Sequence, residues 1–323
     1  MEAKPDSKLI VSASPHINSG RTTRGIMLDV IIALVPALIA GSIIFGLRSL
    51  LVVAVSIASC VTGEVLFALI TKRKQTVGDL SAIVTGLILG LNMPSSVGIY
   101  PVVIGSLFAI IVIKCLFGGL GKNFANPAAA ARVFMLLAFT SSMDGSGSIV
   151  VKGVDAVASP TPLHLMKLGA ADAVASGLPK LTDMLLGLRG GAIGETCAIA
   201  LLIGFVYLLI RRVITWHTPV VYIGAVFFLS WAIYGTAEIA LYQVLSGGLL
   251  LGAIFMATDY VTTPTTDLGK AVFGLGCALL TVLIRKFGSY PEGVSFSILL
   301  MNLFTNYIDK LTARKPLGEV KAK

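Results

Sequence analysis

The chain has 323 residues, of which 56% are hydrophobic and only 13% charged, with 34 glycines and a mean hydropathy of +0.91. Soluble domains carry about a quarter charged residues, so a soluble globular enzyme is excluded, and four scattered cysteines exclude a disulfide scaffold. The net charge of +9 would point a soluble chain towards nucleic acid. Here the basic residues cluster beside apolar runs, where they orient helices in a lipid bilayer, and no nucleic-acid partner is expected.

A helix needs about 20 mainly apolar residues to cross the hydrocarbon core. Such stretches are predicted at 28–46, 49–70, 80–93, 97–117 and 127–140. A polar stretch covers 141–191, and five more apolar ones lie at 195–210, 218–234, 244–260, 268–284 and 294–308. The expected fold is all-α, with about ten transmembrane helices, the third and fifth short for full crossings. The polar first 27 residues lack the apolar core of a cleavable signal peptide.

Basic clusters set the orientation. Arg21 and Arg24 precede the first stretch, Lys72, Arg73 and Lys74 follow the second, and Arg211 and Arg212 follow the sixth. Lys310, Arg314, Lys315, Lys321 and Lys323 follow the last. Ten spans put all four clusters on one side, which is then cytoplasmic, as are both termini. The chain thus divides into a cytoplasmic segment (1–27), a membrane repeat (28–140), an extracytoplasmic loop (141–191), a second membrane repeat (192–310) and a basic cytoplasmic tail (311–323). Arg285 and Lys286 break the pattern by falling near the outer face.

The halves resemble each other at an offset of 170: Asn92-Met93-Pro94 falls on Thr262-Thr263-Pro264, and Phe117-Gly118 on Phe287-Gly288. Lys114 falls on the stretch beginning Ile284-Arg285. Five spans per half would invert the second repeat, and inverted repeats place binding sites beside interrupted helices. The interruptions are Asn92 to Ser96 and Thr262 to Thr266, where proline removes a backbone donor and hydroxyls and amides can satisfy freed carbonyls. The same residues also read as two ordinary polar loops.

No Cys-x-x-Cys, histidine metal pattern, nucleophile elbow or Walker loop is present. Gly118-Gly119-Leu120-Gly121-Lys122-Asn123-Phe124-Ala125-Asn126-Pro127 is the richest glycine segment. Asn126 can cap the fifth helix with Pro127 at its first position, presenting free N–H groups to a phosphate or a carbonyl-rich ring. Without other support it reads first as a tight, well-capped turn between helices. Among charges inside spans, Glu64 and Arg132 are the most internal, and Arg132 can neutralise an anionic ligand or pair with Glu64. In the outer loop, Asp155-Ala156-Val157-Ala158-Ser159-Pro160-Thr161-Pro162-Leu163 holds Ser159 and Thr161 extended, because each precedes a proline.

In these segments the chain resembles the D subunit (RnfD) of the Rnf complex, the ion-translocating ferredoxin:NAD oxidoreductase. More distantly it is similar to the B subunit (NqrB) of the sodium-translocating NADH:quinone reductase. The resemblance rests on the 118–128 segment, on the Asp155-to-Thr161 stretch and, most specifically, on Phe255-Met256-Ala257-Thr258-Asp259-Tyr260-Val261-Thr262-Thr263-Pro264. It implies a flavin transferase that attaches FMN covalently to a threonine hydroxyl within Asp-Gly/Ala-x-Ser/Thr-Gly-Ala-Thr. Asp155, Ala156 and Thr161 match that pattern, whereas Ala158, Ser159 and Pro160 depart from it. Thr161 is therefore the expected acceptor, with Asp155, Ser159, Pro160, Pro162, Leu163, Arg285 and Lys286 around the FMN. The resemblance also implies a second, non-covalent flavin (riboflavin or FMN) nearer the cytoplasm, for which Asn123, Asn126, Arg132, Asp259, Thr262, Thr263 and Thr265 can supply hydrogen bonds. No metal site and no catalytic residue are expected.

The same resemblance implies an electron-transfer subunit in the bacterial cytoplasmic membrane. Its expected partners are the A, B, C, E and G subunits of an Rnf complex that couples ferredoxin–NAD chemistry to Na⁺ or H⁺ export. Fold alone leaves a non-redox inverted-repeat transporter or channel open, as it does a relative that has lost its flavin and serves as a scaffold.

Overall fold

The computed structural model describes residues 21–143, 161–163, 166, 178–288 and 292–313. The described chain is helical, and its one strand-like feature there is a single bridge between Pro94 and Ala192. Its helices of eight residues or more are α1 (Thr23–Phe45), α2 (Leu47–Ile70), α3 (Ser81–Leu91), α4 (Ile99–Cys115), α5 (Pro127–Ala138), α6 (Ala198–Ile210), α7 (His217–Tyr234), α8 (Ala237–Leu245), α9 (Leu249–Met256), α10 (Asp267–Phe287) and α11 (Val294–Thr312). Each of the ten apolar stretches coincides with helix. Length and composition let α1, α2, α7 and α10 cross a membrane, and the α8–α9 pair adds a fifth crossing if it is one bent span. The protein is a multi-pass membrane protein.

Caps mark the helix starts. The Thr22 hydroxyl accepts from Gly25 N at the head of α1, and Thr266 accepts from Gly269 N at the head of α10. Asn126 Oδ1 accepts from both Ala128 N and Ala129 N, with Pro127 at the first position of α5. The short third and fifth stretches are half-helices. The 11 residues of α3 rise roughly 16 Å, about half of the roughly 30 Å hydrocarbon core. The eighth stretch is where periodicity misleads: an unbroken span over 244–260 is expected, but α8 begins at Ala237 and the chain turns by 65° before α9. Gly247, at φ +65°, makes that turn in a conformation costly for any other residue. Both α4 and α9 pass into π-helical turns, over Phe108–Cys115 and Gly252–Met256.

Packing follows small residues. α2 packs on α3 and α4, α7 on α8 and α10, α1 on α6, and α5 on α11. Between α2 and α3 the backbones meet at Gly86, where an added Cβ would lie 2.7 Å from Ile57 Cα. Between α1 and α6, a side chain at Gly204 would strike the Ala33 carbonyl oxygen. Tyr207 of α6 and Arg211, just after it, close on Asp29 of α1, and Arg21 donates to the carbonyls of Arg211 and Arg212. Gly86→Val therefore forces two helices apart at a cost of about 1–3 kcal/mol and lowers the thermal midpoint in detergent. Gly224→Ala, where an added Cβ meets nothing within 4 Å, leaves the midpoint unchanged or raised.

Candidate functional site

The ends of the half-helices converge. Met256, closing α9, takes a hydrogen bond from Asn126 Nδ2 on its carbonyl and one from Asn92 Nδ2 on its sulfur (3.1 and 3.5 Å). The chain after α3 lies against the chain before α6, with Gly194 N donating to Leu91 O and Ile193 N to Met93 O. Two polar regions flank this junction.

The first is a cavity of about 790 Å³, open mouth included, walled by Met27 and Val30 of α1, Val84 and Ile88 of α3, Leu208 of α6 and Phe255 of α9. Its polar lining comprises Ser81, Thr85, Lys114, Asn123, Asn126, Thr258, Asp259 and Tyr260. A mostly apolar wall with a few converging polar groups is the kind of lining that small-molecule sites have. Asn123 donates to Ala125 O, but its Oδ1 is buried with no hydrogen-bond partner. Asn126 is spent on the α5 cap and the Met256 carbonyl. Asp259 organises its own turn, accepting from Val261 N and the Thr262 hydroxyl, while its carbonyl accepts from the Thr263 hydroxyl.

Thr263 and Thr265 line a second opening that shares Val213, Ile214, Thr258 and Tyr260 with the first. Thr265 also bonds Asp309 through its N–H and hydroxyl. Thr262 is buried with its carbonyl held by Thr305. Of the residues expected around a second flavin, Asn123, Asn126 and Asp259 therefore share one cavity and Thr263 and Thr265 border it. Arg132 lies elsewhere.

Arg132 belongs to a buried charged cluster on the other side of the junction. Its guanidinium bonds Asn92 Oδ1 and Glu292 and lies 3.7 Å from Glu195. Its expected pairing with Glu64 does not form, because Glu64 is taken by Lys114 at 2.9 Å. Gly248 borders the cluster: an added Cβ would sit in ordinary contact, 3.4 Å from both Arg132 Nη1 and Glu195 Oε2. Two further buried guanidiniums hold the end of α8. Arg285 donates to the carbonyls of Gln243 and Ser246 and to Gln243 Oε1. Arg189 donates to the carbonyls of Leu245 and Glu195. The Nε groups of all three arginines and the Ser246 and Thr196 hydroxyls are buried without hydrogen-bond partners.

Thr161 is half-buried and directly precedes helical backbone at Pro162 and Leu163, both buried. Leu163 and Met166 join a small apolar cluster with Met184, Ile239 and Tyr242. Leu163 also reaches the α8–α9 break, since a Cβ at Gly247 would meet Leu163 Cδ2 at 3.5 Å, Arg285 Nη2 at 3.2 Å and Glu292 Oε1 at 3.6 Å. Lys286 stands over the Tyr234 ring, 5.4 Å from its centroid. Asp155, Ser159 and Pro160 lie outside the described residues. Sequence reasoning missed Arg189 and Glu292. The available signal was a charge in a small-residue turn between apolar stretches, as in Leu-Arg-Gly-Gly and Pro-Glu-Gly.

Residues 10–318 match the NQR2, RnfD, RnfE family. The chain is 42% identical over 319 residues to the D subunit of the Na⁺-translocating ferredoxin:NAD⁺ oxidoreductase complex of Acetobacterium woodii, covering 98% of this chain and 97% of that one. It is 40% identical to the D subunit of the proton-translocating ferredoxin:NAD⁺ oxidoreductase complex of Clostridium ljungdahlii (95% and 96% covered). It is 34% identical to the D subunit of an ion-translocating oxidoreductase complex of Shewanella amazonensis (93% and 95% covered). By fold and site this is a polytopic membrane protein with a mostly apolar cavity and a buried charge cluster at broken helices. The chain belongs to the NQR2, RnfD, RnfE family.

Removing Arg132 strands two carboxylates in a low-dielectric interior, at a cost of about 3–5 kcal/mol. Arg132→Leu lowers the thermal midpoint in detergent, and Arg132→Leu/Glu195→Gln recovers part of the loss. Strict additivity of the two single changes would show that they do not interact.

Proposed function

We propose that this chain is the D-type membrane subunit of an Rnf-type complex, passing electrons between flavins while the complex couples ferredoxin–NAD chemistry to export of Na⁺ or H⁺. The observation that carries this is the near full-length similarity to the D subunits of two ferredoxin:NAD⁺ oxidoreductase complexes, one Na⁺-translocating and one proton-translocating. The chain works with the A, B, C, E and G subunits and with a flavin transferase, not as an enzyme alone. It spans the cytoplasmic membrane ten times, both termini inside and the Thr161 loop outside. The helix order supports two inverted repeats. The ranges of α1, α2, α3, α4 and α5 recur, at an offset of about 170 residues, in α6, α7, α9, α10 and α11. The contacts α1·α6 and α5·α11 then each join a helix to its counterpart, as elements beside a pseudo-two-fold axis can.

Thr161 carries FMN as a phosphoester, and the setting suits that group. Three buried guanidiniums (Arg132, Arg189, Arg285) face two carboxylates (Glu195, Glu292) within mutual electrostatic reach. One positive charge is left over, and a flavin phosphodiester brings one negative charge. Arg285 acts through its field, because its terminal nitrogens are committed to α8, and Leu163 anchors the segment beside it. A second, non-covalent flavin occupies the cavity of Asn123, Asn126 and Asp259, where the orphaned Asn123 oxygen fits a ring N–H donor. Bound flavin supplies one- and two-electron chemistry. The chain's residues orient it and exclude water.

Intact mass of the protein produced with its transferase is the decisive measurement. The parent gains one FMN less one water, and Thr161→Val does not. An unmodified parent returns the protein to the transporter or scaffold readings, and mass retained in Thr161→Val moves the acceptor elsewhere. Flavin released by denaturation reports the second site. Asn123→Leu, which removes about 1.4 kcal/mol of buried hydrogen bonding, weakens its retention roughly tenfold.

A further inference from the structure

We propose that Thr76, Glu64 and Lys114 form a proton relay from the aqueous face to the cavity, with Ser81 holding the lysine in place. The inference rests on the second-flavin reading above. The groups are linked by short hydrogen bonds. The exposed Thr76 hydroxyl donates to Glu64 Oε1 (2.5 Å), Lys114 Nζ donates to the same oxygen (2.9 Å) and to Ser81 Oγ (2.6 Å), and Ser81 Oγ donates to Asp79 Oδ1 (2.5 Å). Thr76 opens to solvent, whereas Lys114 and Glu64 are 2% exposed. Lys114 and Ser81 both line the cavity.

A buried Lys–Glu pair is a weak stabilising device, since desolvation roughly cancels its attraction. Glu64 Oε2, moreover, is buried without a hydrogen-bond partner. An ammonium has three N–H donors. Two point at Glu64 and Ser81, which leaves one for the cavity. Other titratable and charged groups face the pair from every side. From α2 comes the thiol of Cys60, from α4 that of Cys115, from the turn before α3 Asp79 and Arg73, and across the cavity Asp259 and Tyr260. Arg73 is itself occupied by the Cys115 carbonyl.

Each pass moves one proton. An N–H bond of the Lys114 ammonium breaks as a bond to the reduced ligand forms, leaving its electron pair on a neutral amine. Glu64, protonated from the Thr76 hydroxyl, returns that proton to Lys114 and becomes carboxylate again. The Thr76 oxygen accepts a proton from solvent as it passes its own to Glu64, so no alkoxide forms and the solvent loses one proton per pass. The ligand's electrons come from the neighbouring redox carriers of the complex, so the relay supplies charge balance only.

The test is rapid reduction of the assembled, purified complex with a pH indicator present, with proton uptake expressed per non-covalent flavin retained. Glu64→Gln and Lys114→Met are expected to slow uptake at least tenfold. Thr76→Val slows it several-fold and raises the solvent deuterium isotope effect, while Thr76→Ser matches the parent. Thr76 lies at the surface, so its variants decide the matter if the buried ones do not assemble. Unchanged uptake in Thr76→Val and in whichever buried variants assemble overturns the relay while leaving the flavin reading intact. Absence of non-covalent flavin from the parent overturns both.

Discussion

A helix that stops inside a buried interior leaves carbonyls that no water can reach, and the rest of this structure depends on how they are satisfied at the end of α8. Arg285 and Arg189 close on the carbonyls of Gln243, Leu245 and Ser246. A cation at a helix C-terminus answers both the unpaired acceptors and the negative end of the dipole. With that end secured, Gly247 can turn the chain and α9 can set off at 65°. Met256 is thereby delivered to Asn126 and Asn92, where the half-helices of both halves meet.

The two polar regions divide the labour of the junction. On one side the cavity is walled by aliphatic side chains and keeps a few hydrogen-bonding groups, one of them unsatisfied. On the other, buried charges of both signs are packed together. A low dielectric makes both regions sensitive to a single added charge. This suits a protein whose proposed work is to pass electrons, because each electron that arrives must be balanced locally.

Much of the scaffold was legible in the sequence because a bilayer permits so few solutions. Apolar length marks the helices, Asn126-Pro127 marks a start, and the shortness of the third and fifth stretches already announced half-helices. The break inside 244–260 was hidden because Ser246-Gly247-Gly248 is too small and too weakly polar to interrupt a hydropathy profile. Arg285 was visible as an exception to the orientation rule. Its physical reason is that a guanidinium buried against carbonyls reports a helix end rather than a membrane face. The site was legible in part. Asn123, Asn126 and Asp259 meet around one cavity as grouped, but the Arg132 side chain points along its helix to the opposite region. Which way a helical residue faces depends on neighbours that one sequence does not reveal. Glu64 and Lys114, 50 positions apart, are joined only by the packing of α2 against α4.

The π-helical turn over Phe108–Cys115 gives that last pairing an unusual dependence. A π turn is an α-helix that has accepted an extra residue, and each helical residue advances the side chains by about 100°. Lys114 meets Glu64 only because the surplus residue has rotated the end of α4. A one-codon deletion upstream in the same turn would relax the helix to ordinary pitch and swing the lysine away from its partner. The length of this stretch, as much as its composition, is therefore under constraint, and drift here should proceed by exchange of residues rather than by their loss.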